Sequence, residues 1–489
     1  MSSLDFLEPI VALLPEVKKP ARMPSLNEKL LWTLGVLVLY FVMYHIYPIG
    51  VVEVSGAQFE FMQIVFASKI GSLITAGIGP IVLASIFLQL FAGAKIIDVD
   101  LSNPHDKAIF SGTQKLLAIF LSFFEAGVYV VTGSVPIMGI AGGDPVLGSI
   151  MATQALVILQ LALGSIILIY FDEITSKYGI GSGISLFIAA GVSLAVVQGT
   201  LAFLAPTALD KINEGGADAI PNAILAFLPL VFTAIVFAAS VYAEGMKVEI
   251  PLSFGRVSGW GGRYPIKFLY VSNIPVILAS ALMMNMQLWA RAIGGWSLMI
   301  GGVNIFETVA AVDPGSQSIV GGLLYLVTAT FPNPLYIGDY RTYISVLATG
   351  TSQLAVPFVG YVVIPEIVHI VMYVCFYVIL CVIFGRFWIE TTGMSAKEVS
   401  QQLQRSGLQI PGYRRDPRII EKVLNKYIPT ITILGSAFVG VLAAFADLTG
   451  ALGTGTGILL TVGILYKFYE QLATDRMFEL YPELRKFVG

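Results

Sequence analysis

The chain has 489 residues, of which 56% are hydrophobic and only 12% are charged, with a formal net charge of -3. Its mean hydropathy is +0.82. A soluble globular protein carries about 25% charged residues, so the composition excludes that class. The apolar runs are long rather than short and alternating, which excludes a transmembrane β-barrel. We therefore predict an all-α polytopic membrane protein.

Residues 1–29 precede the first long apolar run and are predicted to form an interfacial amphipathic segment. Apolar pairs recur at positions 6–7, 10–11 and 13–14, with charged residues and prolines between and after them. A segment of this kind lies on a membrane surface rather than crossing it. The same mixture is unlike a cleavable signal peptide, so we expect none at this end of the chain.

Ten uncharged runs bounded by charged residues predict ten transmembrane helices. They lie at about 30–48, 80–94, 116–134, 149–171, 184–203, 221–243, 268–290, 367–385, 428–446 and 451–470. The loop 206–219 divides them five and five, so the N-terminal half (30–205) and the C-terminal half (206–489) would be inverted relative to each other. The span count is the basis for this symmetry, since the two halves show no clear sequence repeat.

The second span is predicted to be broken. The stretch between Lys69 and Lys95 is uncharged and long enough to cross a bilayer, yet its middle contains Gly77, Gly79 and Pro80. In a helix interior each Gly costs about 1 kcal/mol and a Pro about 3 kcal/mol. We therefore predict a non-helical segment and then a helix beginning near Pro80, because Pro suits a first helical turn. Non-helical backbone at membrane depth survives only where protein buries it or water lines it, which indicates a transport pathway.

The distribution of basic residues predicts the orientation in the membrane. All but four of the 28 Lys and Arg residues fall on the side of the N-terminus; the exceptions are Lys69, Lys211, Arg291 and Arg341. The positive-inside rule then places both termini in the cytoplasm. Region 292–360 is predicted to be a long external insertion, folded or re-entrant, because Gly, Pro, Thr and Ser interrupt it. Two additional spans there are the alternative.

Two cytoplasmic loops, 244–267 and 390–427, are predicted to project from the membrane. In the first, VEIPL, a Gly-rich turn and RYPIK indicate a β-hairpin. The second contains the basic run YRRDPR at 413–418. Such basic surfaces bind either anionic lipid headgroups or phosphate-rich RNA, and charge alone does not distinguish these partners.

The sequence contains no catalytic set, phosphate-binding loop or metal-ligand spacing, so we predict no enzyme activity, no cofactor and no metal site. Cys375 and Cys381 lie in one apolar run, which excludes a disulfide framework. Glu125 is the one acid inside a clean span, whereas an ion-coupled transporter would carry several ionisable groups there. Glu366 and His369 lie near a span end and are interpreted as interfacial.

Two apolar pairs adjoin the glycine-rich breaks. Ile78 and Val82 are four residues apart across Pro80, and Ile184 and Ile188 repeat that spacing after GIGSG (179–183), so each pair shares a helix face. Such residues are typical of an ordinary hydrophobic core. Beside a pathway they would instead form a ring that gates water and ions by dewetting.

Five strings of the sequence resemble the SecY family of protein-translocation channels, in its archaeal and eukaryotic branch. They are ITAGIGPIV (74–82), LIYFDEITSKYGIGSGISLFIAAGVS (168–193), GRYPIKFLYVSNIPVILASALMMNMQLW (262–289), WIETTG (388–393) and GTGILLTVGILYKFYEQL (455–472). The resemblance covers about 22–475 except for 292–360. It implies a central pore between two inverted five-helix halves, opening across the membrane and sideways into lipid, with a short plug helix at about 57–73.

The resemblance also implies roles for particular residues. Six apolar side chains form the pore constriction in this family, and by motif they correspond here to Ile78, Val82, Ile184, Ile188, Ile277 and Leu460. A lateral gate for signal sequences would lie between spans 2 and 3 and spans 7 and 8, where Glu125 and Asn285 match polar positions. Leu83 stands where the family often has Thr. The positions that meet the ribosome correspond to Arg256, Arg263, Arg414 and Arg415.

The implied protein is the pore-forming subunit of a heterotrimeric translocon in the cell membrane. Its implied partners are a SecE-like gamma subunit, a small beta subunit, the ribosome, nascent chains with signal peptides, and the lipid bilayer. Driving energy would come from the docked partner. An inverted-repeat secondary transporter of a small solute is the competing hypothesis, and it would depend on Glu125 and an ion gradient. A membrane scaffold that uses only its basic loops is a third.

Overall fold

The computed structural model shows a largely helical chain in which a helix covers each of the ten predicted spans. The residues that the structure describes are 5–22, 24–52, 69–93, 96–97, 99, 103–215, 219–254, 261–271, 274–293, 299–300, 303–312, 319–328, 340–356, 360–405, 408–409 and 417–480. Among them, seven helices are long and apolar enough to cross a membrane, and two shorter apolar helices accompany them.

The N-terminal elements are all helices. They are α1 (Glu8–Val11), α2 (Leu26–His45), α3 (Gly79–Gly93), α4 (Pro104–Val131), α5 (Ile150–Tyr178), α6 (Gly183–Gln198), a π-helical turn (Gly199–Leu204) and α7 (Ala205–Glu214). The C-terminal half opens with two helices, a hairpin and a further helix: α8 (Ala219–Ala226), α9 (Leu228–Gly245), β1 (Lys247–Phe254), β2 (Gly261–Lys267) and α10 (Ile274–Ile293).

An external region of short elements follows α10, and then the last helices. The external elements are β3 (Met299–Ile300), β4 (Val303–Asn304), α11 (Ile305–Val309), β5 (Ala311–Val312), β6 (Ile319–Gly321), a 3-10 turn (Tyr325–Val327), α12 (Tyr340–Thr349), β7 (Thr351–Val356) and β8 (Gly360–Pro365). The chain ends with α13 (Glu366–Thr391), α14 (Ala396–Arg405), β9 (Leu408–Gln409), α15 (Pro417–Leu448) and α16 (Gly455–Leu480).

The predicted break in the second span is confirmed, since α3 begins at Gly79 and the described residues before it form successive turns. Side-chain and backbone hydrogen bonds hold these turns: the Thr75 hydroxyl donates to the Ser72 carbonyl at 2.6 Å, and the Leu73 amide donates to the Ile46 carbonyl at 2.8 Å. Gly77 has a φ of +53°, a conformation that favours glycine. The backbone polar groups are therefore satisfied without a helix, as membrane depth requires.

The predicted loop 206–219 is wrong over most of its length. The fifth span does not end near 203, because α6 continues through a π-helical turn into α7, which reaches Glu214. The sixth span is also not continuous over 221–243, since α8 ends at Ala226 and α9 starts at Leu228. Pro229 lies in the first turn of α9, where its missing N–H costs least, and so it marks a helix start rather than a helix interior.

The insertion after α10 consists of short hairpins and helices in the residues described, and none of these elements is long enough to span a membrane. That the region is external stays a prediction. Three antiparallel hairpins, β3–β4, β5–β6 and β7–β8, alternate there with the short helices α11 and α12. Helix α12 is fixed to the end of α15, because the hydroxyls of Tyr340 and Tyr343 donate to the carbonyls of Thr449 and Leu448. These carbonyls belong to the last turn of a helix, which leaves them without an intrahelical partner.

Glu366 and His369 lie in the first turn of α13, near the end of the predicted span, and both side chains are buried. His369 Nδ1 lies 2.6 Å from Glu366 Oε1, and its Nε2 lies 3.0 Å from the carbonyl oxygen of Thr328. The Tyr325 hydroxyl donates to Glu366 Oε2 at 3.1 Å. A buried polar group is tolerated when it is fully hydrogen-bonded, and this network joins the start of α13 to the external region.

The predicted hairpin is confirmed as β1 and β2, which pair from Lys247 opposite Lys267 to Ser253 opposite Gly261. Strand β9 adds to the free edge of β1, so the sheet order is β2-β1-β9. The loops 244–267 and 390–427 therefore contribute strands to one sheet. Its inner face packs on the ends of α13 and α15 through a separate apolar cluster that includes Ile250, Ile389 and Leu424.

At Gly164, helix α5 comes into close contact with the turns before α3. A Cβ at Gly164 would lie 1.9 Å from the Leu73 carbonyl oxygen, whereas a Cβ at Gly127 on α4 would meet nothing within 4 Å. We expect Gly164→Ala to destabilise the protein by about 1–3 kcal/mol through overpacking. Gly127→Ala should instead be neutral or stabilise by up to about 1 kcal/mol. Thermal unfolding in detergent measures both, and equal melting temperatures would contradict this packing.

Candidate functional site

Six apolar side chains predicted to act together belong to one hydrophobic cluster of the helix bundle. Ile78, Val82, Ile188 and Leu460 are buried members of this cluster, and Ile184 and Ile277 are partly buried against it. The N-terminal half contributes four of these side chains and the C-terminal half two. Residues that are far apart in sequence thus share one apolar core, which periodicity alone does not establish. That they line a pore constriction stays a prediction.

All six of these side chains lie at helix starts. Ile78 immediately precedes α3, and the other five side chains lie within the first two turns of α3, α6, α10 and α16. The Val82 amide donates to the Ile78 carbonyl at 3.1 Å, so these two side chains share a face as predicted. Four helices therefore begin at members of the same apolar cluster. Their first-turn N–H groups, which have no intrahelical acceptor, need partners there.

Carboxylates supply those partners on two of the helices. Asp172 on α5 accepts hydrogen bonds with Oδ1 from the Ser182 hydroxyl (2.9 Å) and the Ile184 amide (3.0 Å), which caps the start of α6. Asp447 on α15 accepts with Oδ1 from the Gly455 amide at 2.8 Å, which caps the start of α16. Each capped helix follows a glycine-rich turn, GIGSG or GTGTG. Sequence reasoning missed both residues, although an acid shortly before a glycine-rich turn was an available signal.

The second predicted feature is a polar seam where α4 packs against α10 and α3 packs against α10 and α13. Glu125 on α4 is 1% exposed, and neither of its carboxylate oxygens has a hydrogen-bond partner among the described residues. Asn285 on α10 is fully buried and donates from Nδ2 to the Ala281 carbonyl at 2.9 Å, whereas its Oδ1 has no partner in the described chain. The Nε1 atom of Trp289, one turn after Asn285, also has no hydrogen-bond partner among the described residues. Leu83 packs beside Ala118 and Leu121 of α4 in an apolar cluster of its own.

The remaining predicted positions are only partly described. Arg263 lies exposed on β2, and its Nη1 donates to Glu249 Oε2 at 2.8 Å. This hydrogen bond lowers the pKa of the Glu249 carboxyl below its ordinary value. Arg256, Arg414 and Arg415 lie outside the described residues, as does the predicted plug except for 69–73. In the described part of the chain, no three His, Cys, Asp or Glu side chains converge as metal ligands would.

The comparisons with known proteins agree with this architecture. Residues 72–469 match the SecY family. The protein translocase subunit SecY of Methanocaldococcus jannaschii is 44% identical over 490 residues, with 99% of each chain covered. The corresponding subunit of Methanococcus vannielii is 43% identical over 493 residues, again with 99% of each chain covered.

Solved structures give the same result. A structure described as a protein-conducting channel is 43% identical and covers 98% of this chain and 99% of its own, with a TM-score of 0.78. Sec61 in the canine ribosome–channel complex from the endoplasmic reticulum is 42% identical with the same coverage and a TM-score of 0.75. The fold is that of a multi-span channel protein. The chain belongs to the SecY family.

The cap on α6 leads to a stability test. The N-cap residue of α6 is Ser182, but Asp172 accepts from the Ile184 amide as an N-cap side chain does. Removing such an acceptor costs about 1 kcal/mol, whereas the amide oxygen of Asn can accept in its place. We therefore expect Asp172→Ala to lower the melting temperature in detergent, and Asp172→Asn to remain close to the unmodified protein. Asp475→Ala, which removes a half-exposed ion pair with Lys29, is the control and should have a smaller effect. An Asn variant as unstable as the Ala variant would show that the negative charge, and not the cap, is what matters.

Proposed function

We propose that this chain is the central pore-forming subunit of a protein-conducting translocon, which passes secretory proteins across the membrane and releases membrane proteins sideways into lipid. The single observation that carries this proposal is that six apolar side chains from both halves, at the starts of four helices, belong to one hydrophobic cluster. Apolar side chains seal such a point against water and ions by dewetting, yet they offer no fixed binding chemistry to a passing chain. A solute transporter would need the opposite, a polar site matched to its solute.

The lateral gate is proposed at the seam where α3 and α4 meet α10 and α13. Glu125 and Asn285 are buried there with polar atoms that no described residue satisfies. An unsatisfied buried polar group costs about 1–3 kcal/mol, so the closed seam is weaker than a fully apolar one. A signal sequence that enters the seam replaces these contacts at low cost. The plug is proposed at about 57–73, and the plug domain of a related SecY is described as stabilising the closed state of its channel.

The proposed partners follow from the family. Related Sec61 has been seen in a complex with the ribosome, and the basic residues Arg256, Arg263, Arg414 and Arg415 would form the corresponding docking surface here. A SecE-like gamma subunit and a small beta subunit would complete a heterotrimer. The chain would lie in the cell membrane with both termini in the cytoplasm. It would catalyse no reaction, and the docked partner would supply the driving energy.

The constriction is tested by making it polar. We expect Asn at Ile78, Val82, Ile184 or Ile188 to let the resting channel leak ions, because a polar side chain stabilises water in the seal. The measurement is ion conductance of the reconstituted protein, together with export of substrates that have weak signal sequences. Both should rise.

A matched control is Leu161→Asn, which places the same polar group at another fully buried position of the same cluster. It should destabilise the fold without opening a leak. If the constriction variants do not leak and uptake of a small solute depends on Glu125 instead, the channel proposal is wrong and the transporter hypothesis replaces it.

The docking surface is tested at Arg263. We expect Arg263→Glu to weaken ribosome binding by roughly ten-fold at low salt and less at high salt, because phosphate contacts are screened by ions. Lys247→Glu is the control, since Lys247 lies on the paired strand, also contacts Glu249 (3.3 Å), and is at the base of the hairpin. Co-sedimentation of the reconstituted protein with ribosomes measures both. Equal loss in the two variants would indicate general charge attraction instead of a defined docking site.

A further inference from the structure

The N-terminal segment, residues 5–22, is fixed to the cytoplasmic ends of α4 and α5 by a set of polar contacts. Lys115 of α4 donates to the Pro15 carbonyl (2.6 Å), and Lys177 of α5 donates to Glu16 Oε1 (2.7 Å). The Val17 amide donates to Glu173 Oε2 at 3.0 Å. The hydrogen bond from Lys177 also lowers the pKa of the Glu16 carboxyl, so Glu16 stays ionised and paired at neutral pH.

The same segment has two apolar faces with different surroundings. Leu7 packs against a cluster formed by Leu88 of α3 and Ile109 and Phe110 of α4. Val11 packs against Gly112, where an added Cβ would lie 2.1 Å from the Cγ1 atom of Val11. On the other face, Phe6, Ile10 and Leu13 are 71%, 47% and 83% exposed. The inner face anchors the segment, and the outer face is apolar with no cover from the described residues.

The depth of this outer face in the membrane follows from the length of α4. Val131, the last residue of α4, is 76% exposed and adjoins the polar turn that follows it. A hydrocarbon core of about 30 Å takes about 20 helical residues at 1.5 Å each. Counting that far back from Val131 reaches Gly112, the residue that contacts Val11. The outer face therefore lies at the cytoplasmic edge of the hydrocarbon core. Phe120 and Phe124 of α4, which are both exposed, lie farther into the core by the same count.

Basic residues lie directly after this face. Lys18 and Lys19 are exposed, on the side of the molecule where the positive-inside rule places the cytoplasm. Glu16, the nearest acid, is already paired with Lys177. We propose that residues 5–22 bind the anionic inner leaflet of the membrane, with Phe6, Ile10 and Leu13 at the edge of the acyl chains and Lys18 and Lys19 among the headgroups. This inference requires only that α4 spans the membrane, so it stands or falls independently of the channel function.

The test uses the full-length chain with Cys375→Ser, reconstituted in nanodiscs of phosphatidylcholine with or without phosphatidylglycerol. An environment-sensitive fluorophore is attached at Leu13→Cys, or at Asp144→Cys as an exposed control. Lipids brominated near the glycerol end of their acyl chains serve as the quencher. We expect roughly three-fold stronger quenching at position 13 than at position 144, because an interfacial apolar face reaches that depth. Unchanged thermal unfolding confirms that each labelled protein is folded.

The charge contribution is tested with Lys18→Glu and Lys19→Glu together. Each Lys near an anionic surface contributes about a five-fold preference, so the double variant should lose the additional quenching seen with phosphatidylglycerol. Lys397→Glu, an exposed position on α14, should leave it unchanged. Weak quenching at position 13 in both lipids would overturn the proposal. The proposal would also be overturned if position 13 became shielded from an aqueous quencher only after other translocon subunits were added. A protein, and not lipid, would then cover this face.

Discussion

Helices that begin inside the bundle impose the constraint on which the apolar core depends. The first N–H groups of a helix have no intrahelical acceptor, and hydrocarbon supplies none. Here α3, α6, α10 and α16 all start within two turns of a residue of the proposed constriction, so their starts must be satisfied locally. At α3 the Gly79 and Ile81 amides donate to the carbonyls of Ala76 and Ile78, and at α6 the Ile184 amide donates to Asp172. Apolar side chains can lie at these helix starts because neighbouring carbonyls and a carboxylate accept the hydrogen bonds.

Helices α6 and α16 begin in the same way in the two halves. Each carries part of the proposed constriction, starts at a glycine-rich turn, and has an amide that donates a hydrogen bond to an Asp of the helix before it. Asp172 and Asp447 occupy corresponding places in this arrangement. The two halves thus share this helix-capping arrangement, although their sequences show no clear repeat. This correspondence supports the inverted two-half organisation, for which the span count alone was a weaker basis.

The sequence predicts the number of spans and the broken span well because both follow from local properties, namely apolar length and the cost of Gly77, Gly79 and Pro80 in a helix. Helix ends are predicted less well, since α7 continues where a charged loop was expected and Pro229 divides the sixth span. The caps and the His369 network depend on contacts between distant parts of the chain. No local pattern encodes such contacts. The grouping of the six constriction residues came from the family resemblance, and the structure places them in one cluster.

Two buried glutamates show how differently the bundle treats its polar groups. Glu366 accepts hydrogen bonds from Tyr325 and lies beside His369, so it fixes the external region to α13. Glu125 has no such partner among the described residues, although it is buried more completely. The first arrangement rigidifies a joint, and the second leaves a packed seam with an unmet demand for a hydrogen bond. In the proposed lateral gate this difference would let one seam open while its neighbours stay closed, because an incoming chain with polar backbone groups can satisfy Glu125 and cannot improve on Glu366.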